Sequence, residues 1–144
     1  MKIFIPSILF SLLSLTTLYC QESTRKGTLS GNIQLDSVWR KSVYLSYIST
    51  FERMNTMSKK MIIAEAPIDR DGNFIIKLNY LSKKDKLYRL HIAKKEGAIA
   101  SLIIGGKDEN HFFLIANNKS NIIIENLSER SVLKPLKISG YKPS

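Results

Sequence analysis

The chain has 144 residues, 44% of them hydrophobic, and a formal net charge of +10. Length and apolar content suit a single domain with a buried core, and they exclude wholesale disorder. The positive balance permits attraction to anionic lipid, polysaccharide or nucleic acid. The basic residues are scattered, however: Lys59-Lys60, Lys83-Lys84-Asp85-Lys86 and Lys94-Lys95 are short clusters with no nucleic-acid-binding motif around them, so no nucleic-acid partner is expected.

Residues 1–20 open with Met1-Lys2, run uncharged from Ile3 to Tyr19, and give way to the polar Gln21-Glu22-Ser23-Thr24-Arg25-Lys26. A basic start, an apolar middle and a polar boundary make a secretory signal, with cleavage read after Cys20. Retention as an anchor is the alternative, because Ile3–Tyr19 is at the short limit for a membrane span. Lipid attachment at Cys20 fits poorly, since Thr17 and Tyr19 stand where a lipoprotein signal carries Leu and a small residue. The expected location is exported, periplasmic or envelope-associated, with membrane contact only through this segment if it is uncleaved. Cys20 is the only cysteine. A chain starting at Gln21 can form no disulfide, thiolate nucleophile or Cys-ligated zinc site, and must hold together by burial.

Thr28 to Leu35 alternates, with Leu29, Gly31, Ile33 and Leu35 on one face, and predicts a half-buried strand. After Trp39, placed to plug one end of the core, Ser42 to Ser49 repeats the period-two pattern. Thr50 to Lys60 differs: Phe51, Met54, Met57 and Met61 recur at helical spacing, which suits one short helix or an irregular crossover whose methionines fill gaps in the core. Met61 to Ile68 and Phe74 to Leu78 read as two strands of a hairpin around Asp69-Arg70-Asp71-Gly72-Asn73. The DxDG spacing invites a calcium reading, but the further acidic ligand and the bidentate Glu of such a loop are missing, so a turn is preferred. Leu87 to Ala93 is the next strand, with Tyr88, Leu90 and Ile92 on one face and Leu87, Arg89 and His91 on the other.

Ser101 to Glu125 carries three apolar runs, Leu102–Ile104, Phe112–Ile115 and Ile122–Ile124, separated by Gly105–Asn110 and Asn117–Ser120. Runs this apolar predict strands at the centre of a sheet, covered on both faces. Beyond Asn126 the pattern decays. The whole predicts an all-β fold: an antiparallel β-sandwich of seven or eight strands with at most one short helix. The organisation expected is a signal peptide at 1–20, a β-sandwich domain at 27–126, and a C-terminal tail at 127–144 that reads as a linker cut short.

Four motifs occur in order: Gly31-Asn32-Ile33-Gln34-Leu35, Val43-Tyr44-Leu45, the D-x-D-G-x-F run from Asp69 to Phe74, and Tyr88-Arg89-Leu90. Their order resembles an uncharacterised exported β-sandwich domain of Bacteroidota, the type found ahead of thioredoxin-like domains. Within it, MSKKMIIAEAPID, LYRLHIAKK and ASLIIGGKDENHFFLIANNKS are similar to the extracytoplasmic region of membrane-tethered regulatory proteins. The resemblance implies a sandwich outside the cytoplasm and supplies no catalytic residue.

The chemistry-bearing candidates are few. Lys107, Asp108, Glu109, Asn110 and His111 place one cation, two carboxylates, an amide and an imidazole beside two glycines, a set suited to a small polar ligand or to acid–base work. The bland alternative is a solvated hairpin loop that carries little core. His91 reads as a strand residue without a ligand role. No catalytic residue, metal site or cofactor is assigned, and no Ser elbow, P-loop or dinucleotide fingerprint occurs. The expected function is a non-catalytic extracytoplasmic binding or sensing module with an unknown small ligand or envelope protein as partner. A small exported hydrolase using Glu109 and His111, or a structural accessory domain, is the alternative.

Overall fold

The period-two patterns become two stacked sheets. The computed structural model describes residues 26–127 and 135–139, so the signal segment at 1–20 lies outside the described residues. The described residues form eight strands: β1 (Thr28–Asn32), β2 (Ser42–Tyr47), β3 (Ile62–Pro67), β4 (Asn73–Lys77), β5 (Lys86–His91), β6 (His111–Ala116), β7 (Asn121–Leu127) and β8 (Pro135–Ser139). One sheet has the order β4-β1-β7-β8 and the other β3-β2-β5-β6. Every pairing is antiparallel except β1–β7, which is parallel. A parallel pair needs a long crossover, and here the whole second sheet lies between its two strands. β8 falls within the tail at 127–144, so the first sheet extends past residue 127.

Alternate residues of each strand meet between the sheets. Leu29 of β1, Phe74 and Ile76 of β4, and Ile122 and Ile124 of β7 pack against Val43 and Leu45 of β2, Ala66 of β3, Tyr88 and Leu90 of β5, and Leu114 and Ala116 of β6. Each large aliphatic side chain so buried contributes about 1.5–3 kcal/mol relative to exposure. Trp39 closes one end, buried, with the Lys94 ammonium 5.4 Å from its ring centroid.

Three sequence expectations are corrected. The Asp69–Asn73 turn forms, but it is not a hairpin. β3 pairs with β2 and β4 pairs with β1, so the turn carries the chain from one sheet to the other. The Asp69 carboxylate accepts the backbone N–H groups of Asp71 (2.9 Å) and Asn73 (2.8 Å), which shapes the turn locally. The end of β1 and the two residues after it then fix it to the first sheet: Asn32 and Gln34 each donate to the Asp71 carbonyl, and Ile33 N–H donates to the Gly72 carbonyl at 2.7 Å. Gly72 has φ +85°, and a Cβ there would sit 2.7 Å from the backbone carbonyl oxygen of Ile33, so only glycine fits.

Leu102–Ile104, expected as a strand, is irregular and belongs to the long connection between β5 and β6. Phe112–Ile115 is β6, yet β6 is an edge strand with β5 alone beside it. Leu114 faces the core and Phe112 packs against it, whereas Ile115, on the outward face with Phe113, is 48% exposed. β7 is internal, but its Ile123 points to solvent at 47%.

Of the two readings of Thr50–Lys60, the irregular crossover is the one found, with two 3-10 turns, Phe51–Arg53 and Lys59–Met61. Together with the β5–β6 connection it meets the outer face of the second sheet. That face is therefore buried too: Tyr44, Ser46, Arg89, His91 and His111 are each at most 6% exposed.

Packing so distributed gives an ordered set of stabilities. Leu90→Ala and Leu114→Ala are each expected to cost roughly 2–5 kcal/mol in urea unfolding, and Ile115→Ala and Ile123→Ala less than about 0.5 kcal/mol. Gly72→Ala, forced into a left-handed backbone, is expected to lose about 1 kcal/mol or more. A loss at Ile115 equal to that at Leu114 would mean that β6 is covered on both faces.

Candidate functional site

β5 leaves the second sheet at His91, the connection rises over the outer face, and β6 returns at His111. One residue stitches this excursion together. Asn110 is 1% exposed. Its Nδ2 donates to the carbonyls of Ile92 (2.6 Å) and Ser101 (3.0 Å), and its Oδ1 accepts Ile103 N–H at 2.7 Å. The loop therefore has a shape set from within, and Asn110 is part of its frame. Its tip turns through Gly105 (φ +76°) and Gly106 (φ +78°). No atom lies within 4 Å of either hypothetical Cβ, so the left-handed backbone, not crowding, calls for glycine there.

The five candidates part company on this frame. Lys107 is exposed at the tip. Asp108 accepts from Lys94 Nζ at 2.8 Å. That hydrogen bond, followed by the charges of Lys94 and Lys107, holds its carboxyl below the usual range. Both partners are more than 40% exposed, so solvent screens the pair and its weight in stability is small. Glu109 is half-buried and close enough to His111 for its charge to favour the imidazolium. Asn110 and His111 are buried. The expectation that the loop carries little core is corrected for these two, and His111→Ala is a core substitution. Sequence reasoning missed Lys94, which is fourteen positions from Asp108 and reaches it only because the connection folds back.

His91 and His111 are cross-strand partners on β5 and β6. His91 Nε2 lies 2.8 Å from the Ile99 carbonyl oxygen, which can only accept, so Nε2 carries the proton and Nδ1 keeps the lone pair. The His91 ring stacks on Tyr44, with centroids 5.1 Å apart, and His111 meets Phe113 edge-on at 5.5 Å. Arg89 lies on the same face, wholly buried. Its Nη1 donates to the Met54 carbonyl at 2.6 Å, and its Nη2 donates to the Thr56 carbonyl at 2.9 Å and to Met57 Sδ at 3.0 Å. The Phe113 ring is 6.0 Å from its guanidinium carbon. Arg89 Nε, His91 Nδ1 and His111 Nδ1 are buried with no hydrogen-bond partner among the described residues. Burial first, and then the neighbouring Arg89 charge, lowers both histidines, and His91 is pushed down to about 4. Both rings are neutral at pH 7.

Among the described residues, no group of three or more His, Cys, Asp or Glu side chains is placed to hold a metal ion. Both Asp69 oxygens engage Asn73, and one also accepts Asp71 N–H, so the DxDG carboxylate builds its own turn.

A histidine whose folded pKa lies below its unfolded value makes stability fall with acid. Between pH 6.5 and about 4 the unfolded chain takes up the proton and the folded chain does not. The groups facing His91 are Arg89 beside it on β5, His111 on β6, Tyr44 on β2 and the Ile99 carbonyl, and none is a carboxylate. Stability is expected to drop by on the order of 3 kcal/mol across this window, with His111 adding in the same direction. His91→Gln should flatten the slope between pH 6.5 and 4.5. Urea midpoints in that range check this, and a parent with constant stability there would show that His91 is not held neutral.

No family model, curated protein or solved structure matches this chain.

Proposed function

We propose that the chain is a non-catalytic binding or sensing module at the cell envelope, exported by its first segment. The resemblance to extracytoplasmic regions of tethered regulatory proteins is part of that reading. The observation that carries it is the Lys94 end of the sandwich. There an open cavity of about 410 Å³ is lined by Ser37, Val38, Lys94, Lys95 and Glu96. It adjoins the Lys107–His111 loop through the Lys94–Asp108 pair. Trp39 and Asn110 make the surround rigid before any ligand arrives, and preorganisation of this kind lowers the entropic cost of binding. Lys94 then offers an ammonium that an incoming anionic group can share with, or take from, Asp108. Lys107 supplies a second positive charge beside the same carboxylate.

The reading is tested in two steps. Cell fractionation is expected to place the chain in the envelope or periplasm with residues 1–20 removed; a full-length cytosolic chain overturns it. Soluble envelope fractions, separated into peptide and saccharide pools, are then titrated against the purified protein. One pool is expected to raise the melting temperature, with at least a tenfold loss of affinity in Lys94→Ala and Lys107→Ala and unchanged unfolding of the free variants. Turnover of a component that depends on Glu109 would instead make the chain an enzyme.

A further inference from the structure

The two ends of the β2–β5 pair differ. Trp39 plugs the end described above, whereas the opposite end, where β2 finishes and β5 begins, is open. A cavity of about 250 Å³ lies there, walled by Tyr47, Tyr80 and Tyr88. Tyr47 and Tyr88 are cross-strand partners with ring centroids 5.7 Å apart and planes tilted by 49°. Tyr80, on the connection between β4 and β5, is 50% exposed.

Two further features shape this end. First, the β2–β3 register slips between Leu45, opposite Ala64, and Ser46, opposite Ile62. Ile63 is the extra residue of this bulge, and it lines the cavity. Bulges re-aim side chains and recur beside binding sites. Second, the Leu78–Lys86 connection is tied down on its inner side. Leu81 N–H donates to the Leu78 carbonyl, Lys84 N–H to Ser82 Oγ, Asn118 N–H to the Ser82 carbonyl, and Asn117 Nδ2 to Asp85 Oδ1 at 2.6 Å. The rim is thus built and rigid, and Tyr80 stands on it without being needed for the core.

The charge at this rim is net positive: Lys83, Lys84 and Lys86 outnumber Asp85, whose carboxylate accepts from Asn117, and Lys86 is the only charged side chain lining the cavity among the described residues. Aromatic faces suit a flat apolar ring face, phenol and Ser82 hydroxyls suit a polyol edge, and a single ammonium suits a single carboxylate. We infer that this cleft is a binding site for an acidic saccharide, one uronate ring lying against Tyr47 and Tyr80 with its carboxylate on Lys86. The inference lies beyond the Lys94 end and does not depend on it.

The probe is a tetramer of galacturonic acid, titrated by calorimetry and by NMR of the tyrosine rings. The parent is expected to bind it, with Tyr47 and Tyr80 ring signals shifting. Tyr80→Ala and Lys86→Ala, both at exposed positions, should keep the parental melting temperature and lose at least tenfold in affinity. Lys94→Ala should bind as the parent does, which separates this site from the one at the other end. The neutral galactose tetramer should bind at least tenfold more weakly. Absence of binding at millimolar concentration, equal binding of the neutral tetramer, or parental affinity in either Tyr80→Ala or Lys86→Ala overturns the inference. Equal binding of a poly-glutamate of matched charge does so too, since a general basic surface then accounts for the attraction.

Discussion

The burial of Arg89 on the outer face of the second sheet is the constraint on which much of the structure depends. A guanidinium stays charged at any accessible pH, and removing it from water is costly unless its donors are met. Among the described residues no carboxylate meets it. The acceptors are the Met54 and Thr56 carbonyls and the Met57 sulfur, with the face of Phe113 nearby. Two of these acceptors are backbone atoms of a crossover whose only regular structure is a pair of short 3-10 turns. Arg89 thereby gives an otherwise weakly specified segment one place to lie, and Ser46 Oγ, 3.9 Å from Met57 Sδ, adds a second tether. Once the crossover is seated, Ser46 and Arg89 are covered, and the sheet is buried on both faces where β2 and β5 adjoin.

The same covering explains the histidines. His91 and His111 occupy the next row along β5 and β6, roofed by the β5–β6 connection instead of the crossover. Arg89, close by, makes a second positive charge unfavourable, which reinforces the effect of burial on both rings. Neutral imidazoles can then donate to the roof, as His91 does to Ile99, and the roof stays down. Asn110 supplies the remaining stitches. The polar groups of this face are largely spent on holding two irregular segments onto a sheet.

Much of this was legible in the sequence. Period-two alternation identified β1 to β5, with Leu29, Ala66, Phe74 and Ile76 in the core as expected, but the register slip sets Ile62 opposite the outer-face Ser46 instead of inward; the β-sandwich follows from the spacing of those strands. What the pattern could not tell is which strand lies beside which. Met61–Ile68 and Phe74–Leu78 alternate as the halves of a hairpin do, and the same alternation serves strands that face each other across a core. The difference lies in Asn32, Gln34 and Ile33, which bind the turn from forty positions upstream. Leu102–Ile104 misled for a related reason: Ile103 packs against the core from an irregular connection while Ile104 stays exposed, and an apolar run does not by itself say whether it pairs into a sheet. Ile115 and Ile123 show the converse, since a run of consecutive apolar residues does not oblige the outward ones to be covered. For the loop, residue types suggested five equivalent side chains, and tertiary bonds divided them into frame (Asn110, His111) and surface (Lys107, Asp108).

A sandwich buries its middle by stacking sheets, but its two open ends must be closed by something other than strands. Here one end is closed by the largest side chain in the chain, Trp39, capped in turn by Lys94, whose other contact is Asp108. The cost of desolvating that ammonium is kept low because it remains partly in water. The opposite end has no such plug. It is walled by tyrosines, whose rings satisfy the core while their hydroxyls tolerate water. An aromatic wall of this kind leaves a cavity without leaving a buried polar group unpaired, which is how an open end can persist without collapse. The bulge at Ile63 and the pinned Leu78–Lys86 connection then fix the width of that opening, and its walls are set by packing that the fold requires in any case.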